Sequence, residues 1–97
     1  MAGYVVVELE TNDHERMARY RELSGPSVER HGGRFLVRGG RFELLEGDWN
    51  PERLVVIEFP SVEQAREWYE SEDYREARDV RAGAARLQML LVEGYGS

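Results

Sequence analysis

The chain has 97 residues, a formal net charge of −6 and no cysteine. A chain this short is expected to form one domain over residues 1–97 and to bury only roughly 60 to 65% of its unfolded surface. The acidic balance argues against nucleic acid or an anionic membrane as partner, and the missing thiols remove disulfides, thiolate nucleophiles and cysteine metal sites. All 13 basic residues are arginine, so Schiff-base chemistry through a lysine amine is also excluded. The start, MAGYVVVELE, has neither a basic n-region nor an apolar run long enough for a signal peptide or a membrane span. The expectation is a soluble cytoplasmic protein.

Residues 3 to 9, β-branched and aromatic, read as a first strand. Thr11-Asn12-Asp13 supplies a helix N-cap, followed by Met17, Tyr20 and Leu23 at helical spacing. Gly25-Pro26 predicts a pause, with a renewed helix through Val28 and His31 that Gly32-Gly33 ends. Arg34 to Arg38 is the next strand; Gly39-Gly40 is expected to bend or bulge it, and Arg41 to Glu46 to resume extended structure. Residues 47 to 52 form a turn-rich loop, and residues 53 to 59 a third strand. Ser61 and Gln64 have capping-box spacing ahead of Val62, Ala65, Trp68 and Tyr69, one apolar helix face. Ser71 caps a further helical piece reaching about Gly83; Leu87 to Glu93 is the fourth strand, and residues 94 to 97 a tail.

The order β-α-β-β-α-β is that of an α+β, ferredoxin-like protomer, with helices on one face of an antiparallel sheet. Val5-Val6-Val7, Leu54 to Ile57 and Met89 to Val92 are apolar at successive positions, whereas a sheet face open to water calls for alternation. A second cover is therefore expected, a homodimer packed sheet to sheet as a dimeric α+β barrel.

The runs GGRFLVRGG, LLEGDWNPERLVVIEFPS and AREWYESEDYREAR, taken in that order, closely resemble the bacterial DUF1330 family, a group named for a domain of unknown function. The likeness runs from Tyr4 to Gly94. It implies a dimeric α+β barrel of ferredoxin-like protomers, in a superfamily that includes cofactor-independent monooxygenases, isomerases and haem-handling enzymes. It names no substrate.

GGRFLVRGG is not a phosphate cradle. Its glycines flank a strand instead of opening a helix, and the lysine of a P-loop is absent. Strict alternation puts Arg34, Leu36 and Arg38 on one strand face. The two guanidiniums, roughly 7 Å apart along a strand, either clamp a carboxylate or pair with Glu8 or Glu58. Glu58, late in an apolar strand, is either a general base of raised pKa or an ion-pair partner of Arg34 or Arg38. His31 is either an acid-base group or a histidine at a helix C-terminus. His14 and His31 lack metal-ligand spacing, so no metal or other cofactor is expected. Tyr20, Tyr69 and Tyr74 are candidates to place hydroxyls in a cleft between helices and sheet, with Arg81 at one end. Trp68 fits the core, and Trp49 a contact with a partner subunit.

Two functions follow. In the first, a small organic molecule, an anionic aromatic or polyketide-like compound, binds beside strand two. Arg38 and Arg34, with Tyr20, Tyr69, Tyr74 and Arg81, would form the ligand site, and His31 and Glu58 would carry any acid-base isomerase, lyase or oxygenase step. The alternative is a non-catalytic structural or ligand-sensing module. Whether the protein is an enzyme stays open.

Overall fold

The computed structural model describes residues 1–96; Ser97, the end of the expected tail, lies outside the described residues. Strand β1 (Gly3–Thr11) is followed by helix α1 (His14–Arg30), strands β2 (Arg34–Arg38) and β3 (Arg53–Phe59), helices α2 (Val62–Glu70) and α3 (Glu72–Arg81), and strand β4 (Ala85–Glu93). The sheet order is β2-β3-β1-β4 with every pairing antiparallel. This is the ferredoxin-like arrangement, with the helices on one face.

Local chemistry sets the helix ends. Asp13 accepts a hydrogen bond from the Arg16 amide at 3.1 Å, Ser61 from Gln64 at 3.1 Å and Ser71 from Tyr74 at 3.3 Å, each cap stabilising its helix by about 1 kcal/mol. Helix α1 does not pause at Gly25-Pro26 but runs through it. Gly25 has no Cβ to collide with the proline ring, and Pro26 is exposed, so the carbonyl it leaves unbonded can turn to water. The buried stripe of α1 is Met17, Ser24, Gly25, Ser27 and Val28. It packs over Val5, Val7, Leu9, Ile57 and Phe59 of the sheet, and Trp68, Tyr74 and Ala77 complete the core from α2 and α3. Burying a ring the size of Trp68 stabilises the fold by roughly 2–3 kcal/mol. Its indole N–H is not wasted: it donates to Ser27 Oγ at 3.0 Å, which in turn donates to the Ser24 carbonyl at 2.7 Å.

The expected barrel is corrected by the sheet itself, which is open, with β2 and β4 as its two edges. The sheet-to-sheet homodimer inferred with it is not supported either: the outer side of the sheet is mixed, with charged and polar side chains among its apolar ones. Val5, Val7 and Leu9 of β1 are buried under the helices, while Tyr4, Val6 and Glu8 face the other way and are half-buried. On that outer side Val6, Leu54, Val56, Leu90 and Val92 are interspersed with Tyr4, Glu58, Arg34, Glu8 and Gln88. Trp49, from the chain's own loop, reaches Glu8 there, its Nε1 donating to Oε2 at 3.0 Å, so its contact is within the chain.

Residues 41 to 46 are not a strand. The outer edges of β2 and β4 stay open, but the chain turns out of the sheet after β2 and residues 41 to 46 join neither. The chain leaves β2 at Gly39, whose φ of 72° only glycine adopts at little cost.

Candidate functional site

The irregularity in β2 lies before the glycines. Arg34 pairs with Glu58 and Phe35 with Ile57, but Val37 pairs with Val56 and Arg38 with Val55. Leu36 is the extra residue of a β-bulge, and it reverses the alternation for everything after it. Arg34 consequently lies on the outer face and Arg38 on the helix face, so the two cannot clamp one carboxylate.

Arg34 is an architectural cation. Its Nε donates to Glu58 Oε1 at 2.7 Å, and Tyr4 donates its hydroxyl to Oε2 at 3.0 Å. The hydrogen bonds from Arg34 and then Tyr4 hold the Glu58 carboxyl below its ordinary range, against the opposing effect of burial. A carboxylate held ionised in this way is a poor proton acceptor at neutral pH.

Arg38 occupies a different environment. Its guanidinium lies 4.1 Å from the centroid of the Phe35 ring and comes within 3.5 Å of where a Cβ on Gly25 would stand. It borders a cleft between α1 and the sheet whose walls include Val7, Met17, Val28, Phe35, Ile57 and Met89. Arg21 of α1, Arg53 at the start of β3, Tyr20 and Ser24 also line this cleft. The space amounts to about 490 Å3 counted out to open solvent, but only about 40 Å3 of it admits the centre of a water molecule. About three or four waters fit inside, at 10–15 Å3 each; the rest is an open mouth. Burial, and then the neighbouring charges of Arg53 and Arg21, push the Arg38 guanidinium below its ordinary pKa.

Behind the cleft lies a second polar cluster. The hydroxyls of Tyr20 and Tyr74 are 2.8 Å apart and their rings meet edge to face. Tyr74 is fully buried, its ring centroid 4.1 Å from that of Trp68, and burial pushes its phenol far up, so it stays neutral. Arg81 sits 5.5 Å from the Tyr20 ring centroid. Burial alone would lower its pKa, but Tyr74 and Tyr20 outweigh that and raise it, while its Nε is buried without a hydrogen-bond partner among the described residues.

The predicted residues therefore divide. Arg38 and Tyr20 line the cleft, with Tyr74 and Arg81 packed behind Tyr20. Tyr69 does not line the cleft: it is exposed, its ring centroid 5.8 Å from that of Tyr74 and the Arg78 guanidinium 4.6 Å over it. His31 closes α1: its Nδ1–H donates to the Ser27 carbonyl at 2.9 Å, and neither it nor Glu58 lines the cleft. Arg21 and Arg53 were not foreseen, although both follow from spacing. Arg21 lies four residues after Met17 and three before Ser24 on the buried stripe of α1, and Arg53 has the inward parity of Val55 and Ile57. Among the described residues no cluster of three or more metal-ligating side chains occurs, and no helix is long and apolar enough to cross a membrane.

The model of the DUF1330 family, "Domain of unknown function", matches residues 2–95. The chain belongs to this family. Among proteins of curated function none matches it. A protein of unknown function from Rhodopseudomonas palustris shares the fold at 24% identity and a TM-score of 0.77, over 99% of this chain and 84% of that one. A dimeric ferredoxin-like protein of unknown function from Thermobifida fusca is 14% identical with a TM-score of 0.63, over 97% and 92% of the two chains. SnoaB, a cofactor-independent oxygenase from Streptomyces nogalater, is 8% identical with a TM-score of 0.65, over 99% and 95%. At these identities the likeness is one of fold.

Proposed function

We propose that this DUF1330 protein binds a small organic anion in the cleft between α1 and the sheet, apolar body inward and charge at Arg38. The observation that carries this reading is a guanidinium without an ion-pair partner among the described residues, at the mouth of an apolar cleft in a protein of net charge −6. Arginine offers a planar fork that matches a carboxylate or phosphate, and its field draws an anion towards a surface that otherwise repels one. The narrow interior favours a slim body over a polycyclic one. Non-catalytic binding is the better supported form, because His31 is held at a helix end and Glu58 is engaged on the opposite face.

An acid-base enzyme is the second reading. It rests on the Tyr20 hydroxyl, which is hydrogen-bonded to Tyr74 in the cleft wall, and draws on the fold shared with a cofactor-independent oxygenase.

A thermal-shift screen of small organic anions tests the proposal, since a ligand bound only by the folded state raises the melting temperature by mass action. The expected outcome is a dose-dependent rise that Arg38→Ala reduces at least tenfold in ligand affinity. A panel that leaves the melting temperature unmoved, or ligands that bind the variant equally well, would refute it.

A further inference from the structure

The mouth of the cleft holds more positive charge than one carboxylate needs. Arg21 comes from α1, Arg38 from the end of β2 and Arg53 from the start of β3, and all three line the same cleft. Of the 13 basic residues, Arg30, Arg34 and Arg86 form ion pairs, with Asp73, Glu58 and Glu10. None of the three at the mouth forms one among the described residues. The carboxylate whose field reaches Arg38 is that of Glu29, on an exposed position of α1 and beyond ion-pair distance.

The arrangement is also held in place. A Cβ at Gly39 would collide with the Arg53 guanidinium, so the glycine that turns the chain out of β2 also makes the room in which Arg53 lies. Arg38 rests on the Phe35 ring, a contact suited to a planar guanidinium. Three cations brought together without counter-charges repel one another; a singly charged ligand relieves only part of that repulsion, a doubly charged one most of it.

We infer that the cleft selects a compact dianionic head group, of the phosphate monoester class, on a slim unbranched apolar tail, with Arg21 and Arg53 reading the second charge beside Arg38. This rests on the cleft being a ligand site. Arg–phosphate contacts are commonly bidentate, and three forks arranged around one mouth can engage the oxygens of such a group together.

The test compares three eight-carbon probes on the folded protein by isothermal titration and amide chemical-shift perturbation: octyl phosphate, octanoate and octanol. Octyl phosphate should bind at least tenfold more tightly than octanoate and perturb amides of α1 and β2, with octanol weakest. Arg21→Gln and Arg53→Gln should each weaken octyl phosphate about tenfold and octanoate less, the scale of one lost charged hydrogen bond. Arg19→Gln, which removes the same charge from α1 outside the cleft lining, should change neither. If octanoate binds as tightly as octyl phosphate, or Arg19→Gln weakens the phosphate as much as Arg21→Gln, the dianion selection is wrong while the cleft remains a ligand site. If no probe perturbs the cleft amides, both readings fail. Melting curves of the variants matching wild type keep a folding defect from imitating lost binding.

Discussion

Arg34 and Arg38 stand four residues apart on one short strand and meet opposite fates. At the Arg34 end the guanidinium donates to Glu58, Tyr4 donates to the same carboxylate, and the group is closed on the outer face of the sheet. At the Arg38 end the guanidinium faces α1 over Phe35, in the company of two further arginines. Residue type does not separate these ends, and neither does distance along the chain. What separates them is which face of the sheet each side chain is delivered to and whether a carboxylate waits there. A satisfied cation is structure; an unsatisfied one beside an apolar cleft is where a ligand is proposed to bind.

Substitutions at the two ends sharpen that contrast. The largest effect is expected just before Arg34, where a Cβ on Gly33 would stand 2.6 Å from the Phe59 ring and 2.8 Å from Val28. Gly33→Ala should cost about 1–3 kcal/mol through overpacking, seen as a melting-temperature drop of about 4–8 °C per kcal/mol for a domain of this size. Anion binding should survive wherever the variant is folded.

At the other end, Arg38→Leu should leave thermal stability within about 0.5 kcal/mol of wild type, with any change upward, because a partly buried charge and its repulsion from Arg53 and Arg21 are removed together. A clear loss of stability would mean that Arg38 is structural after all.

The smallest effect belongs to Arg34→Gln, and pH reveals it. Glu58 has a folded-state pKa below its ordinary 4.5, so the stability it contributes is present above that value and is lost as pH falls through the depressed one. Wild type should therefore exceed Arg34→Gln in melting temperature near pH 7, and the gap should close on acidification below pH 4.5. A gap that persists in acid would assign the effect to packing of the arginine stem.

Local features of the fold were legible because local chemistry determines them. Ser61 and Ser71 cap the helices they were expected to cap, and Arg34 to Arg38 and Arg53 to Phe59 are strands within the expected bounds. What escaped was set by neighbours distant in sequence. Residues 41 to 46 have strand-like composition, but the chain has turned out of the sheet at Gly39 and they pair with no strand. The bulge at Leu36 exists only relative to the register of β3. The outer face looked apolar because three successive valines in β1 conceal an alternation that Tyr4 and Glu8 reveal only once the strand is oriented.

At the site, Tyr20 and Arg38 were legible as residues of a cleft between helices and sheet, while Glu58 and His31, grouped with them, do not line it. Those groups are near one another in the linear order of elements but are directed to other faces or ends. Arg21 and Arg53 stand among apolar positions, where an arginine ordinarily keeps its charge in solvent, and only helical spacing and strand parity mark them as cleft residues.

The bulge at Leu36 also alters how the strand can be compared with its relatives. With Leu36 left out of the count, Arg34, Phe35, Val37 and Arg38 alternate regularly, outward and inward by turns. The extra residue thus behaves like an insertion that leaves the reading frame of the faces intact. A relative one residue shorter here would still present its cation to the cleft, and a column-by-column alignment, which places that cation opposite Val37, would declare it lost.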